Sequence, residues 1–459
     1  LSRSIVEPFL LFSARRDLRE KAYLAFTRRG ENGGETDNGA IVRETLALRV
    51  EKARLLGYES YAALKLDDTM AKTPAAVLGL LEPVWEKARA KAGEDRAALQ
   101  GLAAQAGDNT PLAAADWRYW QEKLRAEKYD FDEAELKPYL QLDRIIDACF
   151  DVAGRLFGLS FEEKQGVALW HEDARVFEVR DADGAHRAVF VADYFGRPSK
   201  RSGAWMSALR SAHKLGDGAT PIIYNVMNFA RPPKGQPALL SMDDARTLFH
   251  EFGHALHTLL SEVNYPGLAV TPRDFVEYPS QVMEHWVLTR PVLDRFARHY
   301  QTGEPMPQEL VDKIKASEKF NQGYATTEYL SAALVDMMLH TRPDGVIDAR
   351  TFERDALAEI GMPREVALRH RLPQFLHLFS SDAYSAGYYS YLWSEVMDAD
   401  TWQAFEESGN VFDAELARRM RQYILAPGNT TDRAEAYRQF RGRDPLVEAL
   451  LQVRGFPVN

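Results

Sequence analysis

Cysteine is almost absent from this 459-residue chain. The single one, Cys149 in "IIDACF", leaves no disulfide framework and no thiolate metal cluster, and reads as a small buried hydrophobe on a helix. Long apolar runs are missing too. The opening "LSRSIVEPFLLFSARR" holds only a short apolar run, far below a signal or membrane span, and "LSAALVDMML" (330 to 339) is short and interrupted by Asp336. Nor is there a basic excess: 57 Lys and Arg stand against 67 Asp and Glu, a net charge of -10, which argues against a nucleic-acid partner. No internal repeat, low-complexity tract or long linker interrupts the chain. A cytoplasmic protein with no membrane and no nucleic-acid partner is expected, its oligomeric state open.

With 46% hydrophobic residues, the chain has enough apolar material for a large core in one big lobe or two intimate ones. Helical periodicity dominates. "AIVRETLALRVEKARLLG" (40 to 57) ends at Gly57, and "TPAAVLGLLEPVWEKARAKAG" (73 to 93) starts with Thr73 as N-cap and Pro74 at the first helical position, with Pro83 expected to kink or divide it. From about 174 to 229 the period shortens: "RVFEVRD" and "HRAVFVADYF" flank the turn Asp183-Gly184, and "PIIYNVMNF" follows. The expected fold is mainly α, a large helical lobe with a small antiparallel β-sheet beside the helix that carries the site. One region spans 1–459, helical over 1–170, sheet over 171–235 and helical again over 236–459.

The chemistry concentrates in "HEFGHALH" (250 to 257). Shuffling 11 His and the acidic residues through the chain yields about 0.04 copies of H-[DE]-x-x-H, so chance is a poor explanation. Ser241 followed by Asp244 makes a capping-box start, and the spacing predicts a helix over 242–260. At about 100° per residue, Ala245, Leu248, Phe249, Phe252, Leu256 and Leu259 form one stripe, with His250 and His254 together on the opposite side. Two imidazoles one turn apart suit zinc, and Glu251 borders that face. Gly253 weakens the helix, tolerable where something approaches its backbone closely.

Two histidines need a third ligand. "RDFVEYPSQVMEHWVL" (273 to 288) offers Glu277, Gln281, Glu284 and His285, with Glu277 and Glu284 seven apart and so on one face of a single helix. Two carboxylates turned inward are costly without a cation. Glu277 as ligand, with Glu284 behind it orienting an imidazole, is the natural division. His257 and His285 read as hydrogen-bonded structural residues.

Together "FHEFGHALH", "TPRDFVEYPSQVMEHW" and "FLHLFSSDAYSAGYYSYLWSEVMDAD" (375 to 400) resemble the thimet oligopeptidase family of zinc peptidases. "TPRDFVEYPSQ", "EHW" and "FRGRDP" (440 to 445) look more like its bacterial peptidyl-dipeptidase branch than its oligopeptidase A branch. The resemblance runs from about Leu1 to Phe456 and covers the C-terminal two-thirds or so of a full family member. It implies one zinc ion per chain on His250, His254 and Glu277, and Glu251 as general base. It also implies that His377, Tyr384 and Tyr391 lie over the scissile carbonyl, with Tyr388 nearby as a substrate contact. Two stretches depart from the family pattern: "SSDA" (380 to 383) replaces consecutive glycines, and "NYPGLAV" (264 to 270) is shorter than usual.

The resemblance implies hydrolysis of short unstructured peptides, with release of C-terminal dipeptides. An endo-acting oligopeptidase and a non-catalytic zinc- or peptide-binding fragment are the alternatives. "PIIYNVMNF", with Asn225 and Asn228, is a candidate sheet edge for an extended substrate, though a strand with no ligand role reads equally well. The basic loop "GRPSKRSG" (196 to 203) is a candidate for a substrate carboxylate and reads more readily as a solvated turn.

Overall fold

A computed structural model describes residues 3–129, 135–201, 203–345 and 347–458. Contacts divide the chain into two compact units, neither of them one continuous segment. The first gathers Leu1–Asp130, Lys315–Trp393 and Leu451–Asn459; the second gathers Phe131–Ile314 and Ser394–Leu450. The division therefore does not follow the boundaries at 170 and 235 read from the sequence.

In the first unit the described residues are helical, apart from turns and loops. Gly39–Leu55 forms a helix that stops two residues short of Gly57, which takes φ +83°. Thr73 accepts the Ala76 N–H, and the helix it caps runs unbroken from Pro74 to Gln105, through both Pro83 and Gly93. The expected division at Pro83 does not occur. One missing N–H is outweighed by the apolar positions Val77, Leu81, Val84, Trp85 and Ala88, all buried along one side. Against this helix packs Gln322–His340, most of whose side chains are buried.

The second unit contains a five-stranded sheet: β1 (Ser160–Lys164), β2 (Arg175–Arg180), β3 (His186–Phe195), β4 (Trp205–Arg210) and β5 (Ile222–Phe229). The order is β1-β2-β3-β5-β4. The hairpin across Asp183-Gly184 forms as expected. Two expectations are corrected. The sheet is mixed, because β3 and β5 run parallel after β4 turns the chain back and β5 turns it again. It also reaches outside the 171–235 segment, since β1 precedes it.

Phe150 of the helix Leu142–Phe157, Phe161 of β1, Phe177 of β2, Phe190 of β3 and Phe252 form one aromatic cluster with centroid separations of 4.2 to 6.5 Å. Through Phe252 this cluster fixes the helix Met242–Leu259 to the sheet. Among the described residues, no helix is long and apolar enough to cross a membrane.

Candidate active site

The histidine helix forms over Met242–Leu259 with the expected capping box: Ser241 Oγ accepts the Asp244 N–H, and Asp244 Oδ2 accepts the Ser241 N–H. All six residues of the predicted apolar stripe are buried, while His250 and His254 are partly exposed. Their ring centroids are 4.9 Å apart with 86° between the planes.

Both imidazoles point Nε2 at one carboxylate. Glu277 Oε2 lies 3.4 Å from His250 Nε2 and 3.3 Å from His254 Nε2. On the far side of His250, Nδ1 sits 2.7 Å from Glu284 Oε1. Glu284 thus sets which ring nitrogen is free to ligate.

The second carboxylate-bearing segment differs from the single helix expected. Arg273–Val276 is one short helix and Tyr278–Glu284 another, with Glu277 at the junction. Pro279 has no N–H to offer the Phe275 carbonyl, so the ladder breaks there, with Glu277 as the cap of the helix that carries Glu284.

Gly253 is where this second segment touches the first. A Cβ built on it would lie 2.6 Å from Ser280 Cα and 2.9 Å from the Pro279 carbonyl oxygen. The glycine between the two histidines is what lets the backbone carrying Glu277 come close enough.

These donors fit a metal ion. His250, His254 and Glu277 offer ligand atoms within 4.8 Å of one another. Donors at about 2.1 Å from a tetrahedral ion stand roughly 3.4 Å apart, the spacing that Glu277 Oε2 already keeps from both imidazoles. Burial pushes the Glu277 carboxyl up, but the two imidazoles outweigh it and hold the group well below the usual carboxylate range. Burial likewise opposes the His250 cation, and Glu277 and Glu284 overcome it.

Glu251 is 6% exposed and its Oε2 has no hydrogen-bond partner. Burial raises its carboxyl above the usual range, with His254 and His250 pulling the other way. A buried carboxylate oxygen left open beside three possible metal donors is free to accept a proton.

The structural histidines differ from each other. His285 Nε2 lies 2.8 Å from Asp398 Oδ1, and its ring stacks on Trp402 at 4.7 Å. His257 lacks the expected hydrogen bond at Nε2: it is buried near Phe275, and burial, with Arg433 and His254, lowers its pKa to about 3.

The substrate candidates in the sheet fare less well. β5 is paired on both sides, by β3 and β4, so it is no edge; the outer strands are β1 and β4. Asn225 is 2% exposed within the sheet, and Asn228 donates to the carbonyls of Arg201 and Gly203. In the basic loop, Arg197 and Lys200 are both ion-paired to Asp193, and Lys200 also donates to three backbone carbonyls. Arg201 covers the Trp205 ring, and Ser202 lies outside the described residues.

In the first unit, His377 is ringed by Tyr388, Tyr384 and Tyr391 at centroid distances of 5.2, 5.6 and 6.4 Å, and Tyr384 and Tyr391 stack 3° from parallel. Tyr388 is buried. Sequence reading missed what lies beneath them: Arg49, Tyr61, Tyr329, Asp336 and His340. Asp336, the one charge in "LSAALVDMML", was the available signal.

Two imidazoles and a carboxylate at metal-ligand spacing, with an unpaired buried glutamate next to the first histidine, define a metallohydrolase site of the HExxH kind. Comparison with known proteins agrees. The model for peptidase family M3 matches residues 9–456. The chain is 40% identical over 458 residues to the dipeptidyl carboxypeptidase of Escherichia coli strain K12, covering 98% of this chain and 67% of that protein. It is 36% identical over 462 residues to oligopeptidase A of the same organism, with the same coverage. A solved structure of PZ peptidase A with an inhibitor shares the fold at TM-score 0.57 and 15% identity, covering 98% of this chain and 69% of that one. The chain belongs to peptidase family M3, a family of metallopeptidases. It spans about two thirds of the length of these curated relatives.

Proposed function

We propose that the chain is a zinc-dependent peptidase that takes short unstructured peptides and releases dipeptides from their C-termini. The observation that carries the reading is the convergence of His250, His254 and Glu277 beside the open carboxylate of Glu251. The name of a relative at 40% identity, a dipeptidyl carboxypeptidase, supports the product.

Zinc on the three donors would polarise the peptide carbonyl and acidify a water to a pKa of about 7. Glu251 takes the proton of the attacking water and delivers it to the leaving amine; its burial, which raises its proton affinity, suits both steps. Glu284 holds His250 by Nδ1 throughout. In this reading His377, Tyr384 and Tyr391 donate to the developing oxyanion, a role in which one lost donor costs about 10² to 10³ in rate. Their gathering into one cluster supports it. The setting is cytoplasmic, where a lone buried thiol needs no oxidising compartment.

Product mapping tests the proposal. An N-acylated nine-residue peptide incubated with zinc-loaded protein is expected to lose dipeptides successively from its C-terminus, and Glu251→Gln to abolish the loss. Internal cuts would replace the dipeptidase reading with an oligopeptidase one, favoured by the relative at 36% identity. No cleavage above the Glu251→Gln control would leave a metal- or peptide-binding chain.

A further inference from the structure

Asp336 has a side chain with no solvent exposure, four residues before the end of the helix Gln322–His340. A charge buried so deeply persists only when its oxygens are fully used. Its partners lie in one place. Oδ1 accepts the Ala386 N–H and Oδ2 the Tyr388 N–H, each at 2.9 Å. Oδ1 also lies 2.8 Å from His340 Nδ1, and His340 Nε2 lies 3.2 Å from Arg49 Nη1. Arg49 then reaches the same stretch of chain, donating through Nη2 to the Leu378 carbonyl and to Asp382 Oδ1.

Two further hydroxyls close the grip. Tyr61 Oη and Ser385 Oγ are 3.0 Å apart, and Tyr329 Oη donates to the Tyr388 carbonyl at 2.7 Å while accepting the Leu392 N–H at 3.2 Å. Ala386 needs such a grip: it holds φ +53°, the left-handed region that an alanine rarely adopts. The segment that carries His377, Tyr384, Tyr388 and Tyr391 is therefore tied down at 378, 382, 385, 386 and 388.

We infer that Asp336, backed by His340 and Arg49, is a positioning residue that sets the His377–Tyr391 segment for peptide hydrolysis. It acts through the backbone of Ala386 and Tyr388 and does not itself touch substrate. Asn at this position keeps the shape but turns one acceptor into a donor facing an N–H, so the segment is released on one side. The inference rests on the peptidase reading above.

The experiment uses the zinc-loaded full chain in four forms: unaltered, Asp336→Asn, Tyr391→Phe and the double variant. Two quantities are measured, kinetics of dipeptide release and amide hydrogen exchange over residues 384–391. Asp336→Asn is expected to lower kcat by about 10- to 100-fold with KM within about twofold, because the loss is one of orientation. It is expected to speed exchange in the segment and to add little to Tyr391→Phe. Unchanged kcat, or an equal loss in both backgrounds, overturns the inference. So does exchange that stays slow in Asp336→Asn, a readout that needs no turnover. Should that variant not fold, Tyr329→Phe removes a second tie and is judged by the same criteria. Failure of the unaltered chain to cleave any peptide would instead overturn the peptidase reading, and with it the catalytic purpose of the clamp.

Discussion

At the scale of single residues, the site separates three side chains placed to hold a metal from one placed behind them, against the far side of His250. Glu284 touches His250 Nδ1 and not the ligand face, so its contribution lies in tautomer and ring orientation. Glu284→Ala is expected to weaken zinc binding by about 10- to 100-fold in a chelator competition, while Glu251→Gln leaves the affinity near that of the unaltered chain. Equal affinities in Glu284→Ala and the unaltered chain would remove Glu284 from the site. His250, His254 and Glu251 were legible in the sequence because a helix has a known period and metal ligands a known spacing, whereas Glu277 and Glu284 stood out by residue type and family resemblance, on a single expected helix that the structure divides. Asp336 was not legible, since its role depends on two backbone N–H groups some fifty residues away.

At the scale of elements, the site is a contact between two pieces of backbone. Alanine is the better helix former by about 1 kcal/mol, so propensity alone would have Gly253→Ala stabilise the helix Met242–Leu259. Packing reverses the sign. The added methyl meets Ser280 Cα and the Pro279 carbonyl oxygen, neither of which can rotate away. Gly253→Ala is expected to destabilise the chain by about 1 to 3 kcal/mol, read from denaturant midpoints, and to weaken zinc binding as Glu277 is pushed back. A gain in stability would sink this account. The break at Pro279 belongs to the same scale: the sequence supplies the proline, but a seven-residue spacing read as one helix hid its consequence.

At the scale of the whole molecule, His257 links the core to pH. Its folded pKa of about 3 lies below the ordinary value of about 6.5, so the unfolded chain binds the extra proton between the two. Its contribution to stability is complete above pH 6.5 and is lost as pH falls toward 3, with a slope of up to about 1.4 kcal/mol per pH unit. Urea unfolding of the metal-free chain across about pH 4 to 7 is expected to show this slope, and His257→Leu to reduce it by about one proton. Parallel curves for the two chains would mean that His257 is not buried neutral.

The sequence by itself determined the helix that bears His250 and His254, its cap, its apolar stripe, the hairpin across Asp183-Gly184 and Glu277 as the carboxylate that meets both imidazoles. These are local matters of period, capping chemistry and ligand type, each readable within about thirty residues. Only the tertiary structure decided that β5 lies inside a mixed sheet, that Pro83 is carried within one long helix, and that Asp336 grips the tyrosine segment. Strand partners, tolerance of a lost hydrogen bond and the pairing of a buried charge depend on what distant segments bring alongside. The chain's two units are themselves assembled from separated stretches, and spacing along the sequence carries no record of that assembly.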